Sequence, residues 1–219
     1  MKTVSYLALL ALTLVPSSQA TTILLSSLAA TTTNDSGNAT VNITRHPAWA
    51  DPMAGSSWIS TASTGDPSAP GYVNFHCGTS ILFGQTFLLS GPVVDASLSV
   101  MADDTAAVFV NGTKIFTAAI GPGNISCAAV AVGCPASAVQ IFGTDDLKPY
   151  LHPGAMNTIQ FQVMQVAGSS FGLDYSGQIN TVDSPLTGGA IVTATPEPGT
   201  LAMMATALVG LGLWRRKRV

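Results

Sequence analysis

Val108-Phe109-Val110-Asn111-Gly112-Thr113-Lys114-Ile115-Phe116 decides the fold class. Asn-Gly between two β-rich runs is the strongest short hairpin signal, because both residues accept the positive φ that the tight turn requires. Working outward, Val94-Asp95-Ala96-Ser97-Leu98-Ser99-Val100 and Thr158-Ile159-Gln160-Phe161-Gln162-Val163 alternate apolar with polar side chains. A period of two means strands with one face in a core and the other in water. Further strand candidates are residues 39–44, 57–61, 71–76, 81–89 and 171–180, with Gly and Pro in the gaps. Leu24 and Leu25 place the start of a first strand inside the Thr/Ser-rich stretch 21–38. No convincing amphipathic helix interrupts this pattern. About eight short strands with turn signals predict an all-β sandwich.

The two ends of the chain read differently. Met1-Lys2 is a short basic start, YLALLALTLV from Tyr6 to Val15 is apolar, and Ser18-Gln19-Ala20 ends on small residues. This is the pattern of a secretory signal peptide, residues 1–20, with the mature chain starting at Thr21. At the other end, Pro196-Glu197-Pro198 precedes an uncharged segment of 15 residues, 200–214, and then Arg215-Arg216-Lys217-Arg218. As a single apolar helix that segment would span about 22 Å, short of the hydrocarbon core. The cation cluster and Trp214 supply the flanks of a membrane segment, and snorkelling cations shorten the length required.

Pro-Glu-Pro, a short apolar helix and a terminal basic cluster together resemble the PEP-CTERM sorting signal. The resemblance covers about the last 25 residues, 196–219 with the residues just before them. It implies a Gram-negative, exopolysaccharide-making bacterium. It also implies a membrane protease of the exosortase type that processes the chain near Pro196-Glu197-Pro198. On that basis the protein is held at the inner membrane in transit and then reaches the cell surface or the medium. Residues 183–195 read as a linker, which leaves 21–182 as the β-sandwich domain.

Composition narrows the function. Residues 21–195 carry ten Asp against Arg45, Lys114 and Lys148, a net charge of about −7, and the only Glu is Glu197 in the tail. Nucleic acid needs basic patches that this body lacks. Outside the cytoplasm disulfides persist, and Cys127 and Cys134, flanking a short loop, are the candidate pair. Cys77 is left over, and burial is its expected state.

A second resemblance runs through the body. Trp58-Ile59-Ser60, Phe87-Leu88-Leu89, Ala96-x-Leu98-x-Val100-x-Ala102-Asp103-Asp104, Val108-x-Val110-Asn111-Gly112, Leu151-His152-Pro153-Gly154-x-x-Asn157 and Phe171-Gly172-Leu173 follow in order. This looks like the galactose-binding-like jelly roll of many carbohydrate-binding modules, which implies a jelly-roll sandwich and a sugar as one ligand class. Fold does not set function.

Candidate chemistry is sparse. A sugar's apolar C–H face stacks on flat rings, which singles out Trp49, Trp58, Tyr72, Tyr150 and Tyr175, while core packing is the competing use of an aromatic residue and the favoured one for Trp58. Trp49, in His46-Pro47-Ala48-Trp49, is the one expected to be exposed. Asp103-Asp104 offers oxygen ligands to a structural calcium ion, or forms a strand-end turn that accepts backbone N–H groups, the favoured reading. Asp145-Asp146 reads as the cap of a helical turn before Leu147. His46, His76 and His152 have no zinc-ligand spacing. Neither a nucleophile elbow nor a phosphate loop is present, and a glycosidase would have to use Asp pairs alone. Asn-x-Ser/Thr at Asn34, Asn38, Asn42, Asn111 and Asn124 arises readily by chance in so Ser/Thr-rich a chain. The expectation is a non-catalytic surface or matrix protein of an exopolysaccharide biofilm, with no cofactor. The alternative is a carbohydrate-binding module for that polysaccharide.

Overall fold

The computed structural model describes residues 20–118, 132–166 and 168–182. The chain divides into two compact units, Met1–Pro185 and Leu186–Val219, and all described residues lie in the first. The expected signal peptide, apart from its last residue, lies outside the described residues, as do the linker and the tail.

Eleven strands follow in order: β1 (Ala20–Ser26), β2 (Thr33–Asn34), β3 (Val41–Asn42), β4 (Ile59–Ser60), β5 (Ser80–Leu88), β6 (Val93–Asp103), β7 (Thr105–Val110), β8 (Thr113–Phe116), β9 (Gln140–Phe142), β10 (Met156–Met164) and β11 (Gly172–Val182). One helical turn, α1 (Thr144–Leu147), lies between β9 and β10. The strands form two antiparallel sheets. One has the order β3-β4-β11-β6-β9, with β1 also paired to β11, and the other β2-β5-β10-β7-β8.

The period-two segments fold as the alternation requires. In β10, Asn157, Ile159, Phe161 and Val163 are buried, while the intervening Thr158, Gln160 and Gln162 are only partly so. Register sets Phe161 opposite Phe83 of β5 and Val108 of β7. From the other sheet, Leu98 and Val100 of β6 and Tyr175 and Ile179 of β11 are fully buried in the same core. Phe161 stacks on Tyr175 at 4.4 Å between centroids, so the two sheets meet through aromatic rings. The Asn-Gly hairpin forms between β7 and β8, with φ of 48° at Asn111 and 77° at Gly112. At Gly177 the backbone of Ser97 lies where a Cβ would stand, which holds β11 close against β6.

The first strand closes the domain. β1 pairs with β11 along its whole length, from Ala20 opposite Val182 to Ser26 opposite Ser176. Its far edge is met by a side chain rather than a strand. The Gln85 amide accepts the Ser26 N–H at 3.2 Å and donates to the Leu24 carbonyl at 3.1 Å. One amide thereby satisfies two edge groups that a neighbouring strand would otherwise engage.

Two expectations are corrected. Residues 71–76 form no strand, only an isolated bridge from Phe75 to Ser169. The turn that bonds Tyr72 N–H to Ala69 C=O, followed by Val73 N–H bonded to Ser63 C=O, engages the backbone that a ladder would need. Cys77 is exposed and free, not buried. Its thiol faces the Val166 carbonyl at 2.6 Å at the surface. Cys134 is fully buried and disulfide-bonded, while Cys127 lies outside the described residues.

Candidate functional site

The aromatic candidates are dispersed by the fold. Trp49, expected at the surface, is only 4% exposed. Its ring lies 4.5 Å from that of Trp58, and with Met101 and Cys134 the two make a small core separate from the main one. The loop folds inward because Arg45 donates to the Trp49 carbonyl at 2.8 Å and pairs with Asp51 at 2.8 Å. Tyr175 is likewise buried and offers no face to a ligand. Its hydroxyl lies 2.7 Å from Thr32 Oγ1 and donates to Gln85 Oε1 at 3.1 Å, and burial pushes the phenol pKa well up. Tyr72 is half-buried in its turn.

Tyr150 alone reaches an indentation. A pocket of about 280 Å³ is lined by Ile115, Phe116, Gln140, Ile141, Phe142, Asp145, Asp146 and Tyr150. Local chemistry builds each wall. Gly143 leaves β9 in an extended conformation and its N–H is accepted by Asp146 at 2.8 Å, the expected cap of α1. Thr144 Oγ1 lies 2.9 Å from Asp95 Oδ1 and accepts the Ala96 N–H at 2.9 Å, which pins α1 to β6. Buried Leu147 anchors the turn from below and leaves Asp145 and Asp146 exposed. Phe116 meets Phe142 edge-on at 5.7 Å behind the pocket, whose open surface is mostly polar. The hairpin tip holds the last wall. Asn111 Nδ2 donates to the Tyr150 carbonyl at 2.8 Å and to Asn157 Oδ1 at 2.7 Å, and Asn157 in turn braces the His152 turn.

A second groove of about 200 Å³ runs over Gly84 on the outer face of the β5–β10 sheet. Thr33, Asn34, Asp35, Thr86, Thr158 and Gln160 line it with hydroxyls and amides.

The paired acids Asp103 and Asp104 are buried between β6 and β7. Asp104 Oδ2 accepts the Val166 N–H at 2.6 Å, as a turn carboxylate does. No group of three or more His, Cys, Asp or Glu suited to a metal occurs among the described residues. Reading the sequence missed another carboxylate, Asp174, which is fully buried on β11. It accepts from Ser27 Oγ at 2.8 Å, from Met53 N–H at 2.9 Å and from Ser56 Oγ. Burial raises its pKa, opposed by the hydrogen bonds from Ser56, Met53 and Ser27. With three donors it acts as a structural tie between β11, the end of β1 and the 53–57 loop.

The described molecule is thus a two-sheet β-sandwich with an acid-rimmed pocket beside Tyr150 and a polar groove over Gly84. Its address lies beyond it: residues 194–217 match the PEP-CTERM protein-sorting motif. That motif implies an exported surface protein, anchored in the membrane in transit and processed by an exosortase, a membrane protease. Among the described residues no helix is long and apolar enough to cross a membrane, and segment 200–214 lies outside them. No curated protein matches the chain. Among solved structures it is similar to a family 35 carbohydrate-binding module from Clostridium thermocellum, at 11% identity and a TM-score of 0.38, covering 71% of this chain and 97% of that one. It is also similar to the α-L-rhamnosidase of Streptomyces avermitilis, at 18% identity and a TM-score of 0.39, covering 69% of this chain and 14% of the enzyme. Both likenesses are loose, and neither assigns a ligand here.

Proposed function

We propose that this protein is a non-catalytic component of the bacterial surface or extracellular matrix, exported through an N-terminal signal peptide and released from its membrane tail by an exosortase-type protease. The sorting motif at residues 194–217 carries the reading. The apolar helix 200–214 is its membrane segment, residues 183–195 its spacer, and 21–182 a jelly-roll body that works in the exopolysaccharide of a biofilm. Cys127 is the partner of Cys134. The carboxylates support a body without catalysis. Asp174 is occupied by three donors, and Asp145 and Asp146 are neighbours on one helical turn, where successive side chains do not face each other.

The intact mass of the protein from its native host, measured in membrane, surface and medium fractions, tests this. The expected species lacks residues 1–20 and everything after about Pro198, and is found at the surface or in the medium. A membrane species retaining Trp214 and Arg218 would show a simple anchor and remove the sorting interpretation.

The Tyr150 pocket favours a second reading, a module that binds the polysaccharide. Its carboxylates and the Gln140 amide can hydrogen-bond sugar hydroxyls, with the edge of the Tyr150 ring beside them. A glycan array spanning acidic, neutral and basic polysaccharides tests it, and silence across all three classes would end it.

A further inference from the structure

We propose that the end of the body from which the chain leaves toward its sorting motif is a lipid-facing surface, which rests on the bilayer while the protein is held at the membrane in transit. This goes beyond the sorting reading and rests on it.

The outward faces of both sheets carry the inference. On the outside of the β5–β10 sheet the middle register pairs hold no large apolar side chain: Thr86 stands opposite Thr158, and Gly84 opposite Gln160. At the last pair the row turns apolar. Leu88 stands opposite Met156, and the two are 57% and 59% exposed. The outside of β6 changes in the same way toward the same end. Ser99 and Ser97 give way to Asp95 and then to Val94, which is 57% exposed. The core does not require these three side chains, because Phe87, Leu89 and Val93 beside them already face inward. A lone exposed apolar residue is ordinary. Here three of the seven large ones exposed among the described residues collect at one end of the sandwich.

Two turns complete that end. Residues 89–92 and 152–155 are cross-bonded, Leu89 N–H to the Ala155 carbonyl at 3.1 Å and Gly154 N–H to the Leu89 carbonyl at 2.8 Å. Pro92 and Pro153 are exposed on them. From Leu88 to Val94 and from His152 to Met156 there is no Asp, Glu, Lys or Arg, in a body that carries ten Asp. The acids nearest this end, Asp95 and the α1 pair, lie to one side, where Thr144 ties α1 to Asp95. Charge therefore leaves the apolar rim clear, and a zwitterionic lipid face is the surface it suits.

The path of the chain selects lipid as the occupant. Val182 N–H bonds the Pro92 carbonyl at 3.1 Å, so the last described residue lies in this end. The sorting motif begins at residue 194. Of the two ends of the body, it is this one that the chain joins to the motif. A tether holds what it joins at an effective concentration on the order of millimolar. A contact of a few apolar side chains, too weak to bring a free protein to a bilayer, is then enough to seat a tethered one. Processing at the motif removes the tether, and the end lifts away.

The test is fluorescence quenching in the full-length chain, reconstituted into phosphatidylcholine vesicles that carry a nitroxide on the acyl chain. Cys77 marks the opposite end, because β5 starts at Ser80 and rises about 30 Å to Leu88. One sample carries a bimane label on Cys77. A second, Cys77→Ser with Met156→Cys, carries it at position 156. The expected result is quenching several-fold stronger at position 156 than at Cys77, with Leu88→Glu, an exposed site, bringing it down to the Cys77 level. Equal quenching at both positions, in a chain that floats with the vesicles, would overturn the inference and leave the sorting reading standing. So would strong quenching at position 156 that Leu88→Glu leaves unchanged, since the tether alone would then bring the label near. A cross-link between two chains at position 156 would assign the surface to a second copy, and the inference would fall. A chain that does not float with the vesicles at all would overturn the membrane-transit reading together with the inference.

Discussion

The half of the body built on β5, β10 and β7 and the stretch from Ser27 to Thr79 are held together by different physics. In the first, nine consecutive register pairs join β10 to β5, and the buried side chains are mostly apolar, with Gln85, Thr105 and Asn157 the exceptions. In the second, strands shrink to two residues, and polar groups, some buried and some at the surface, do the joining. Asp174 fastens Ser27, Met53 and Ser56, Arg45 spans Trp49 and Asp51, and Thr32 meets the Tyr175 hydroxyl. Regular ladders satisfy their own backbone, so their side chains are free to be a core. Loops leave backbone groups open, so buried side chains must be polar to meet them.

Three substitutions bear on that contrast, in descending order of effect. Phe161→Ala in the ladder half removes a fully buried ring stacked on Tyr175. It should destabilise the body by about 3–5 kcal/mol in a denaturant titration. A loss below about 1 kcal/mol would mean the sheets are not joined there.

Asp174→Ala in the loop half removes the acceptor shared by Ser27, Ser56 and the Met53 N–H, at a cost of about 1–3 kcal/mol. The loss should appear first as faster hydrogen exchange in residues 46–58. Asp174→Asn keeps an acceptor and answers a question of pH. Because burial raises the folded pKa of Asp174, its contribution to stability is fully present below the unfolded value of about 3.9 and is lost as pH rises through the folded pKa. Melting temperature against pH should therefore fall less steeply with rising pH in D174N than in the unaltered chain. Identical slopes would show that Asp174 titrates normally. The smallest effect belongs to Cys77→Ser. The thiol is exposed, so stability should move by less than about 0.5 kcal/mol while labelling by maleimide disappears.

The same contrast explains what could be read from the sequence. The Asn111-Gly112 hairpin and the alternating runs in β6 and β10 carry their pattern locally, one face wet and one dry. β11 carries it only in part. Residues 172–175 are buried on both faces, because the 46–58 loop covers what would otherwise be the solvent side. Asp174 therefore sits where alternation predicts a wet position, and its burial depends on a loop more than a hundred residues away. Trp49 went inward against Trp58 and under Arg45, both close in sequence, and the small core they enter is completed by Met101 and Cys134, far along the chain. β9, three residues long, has too few positions for a period to show. In the pocket, the helical turn at Asp145-Asp146 was legible from its residues, and Tyr150 from its ring. That Phe116 and Gln140 share one wall with them is a product of strand order.

The seam between β1 and β11 has one more consequence. Thr21 stands directly across from Thr181, and opposed residues in an antiparallel pair are about 4.5–5.5 Å apart. The chain thus enters and leaves the body through one doorway. A domain of that kind can be spliced into a surface loop of another protein with short joints, or have its old ends sewn together and new ones opened elsewhere. As a unit of inheritance, it is a cassette.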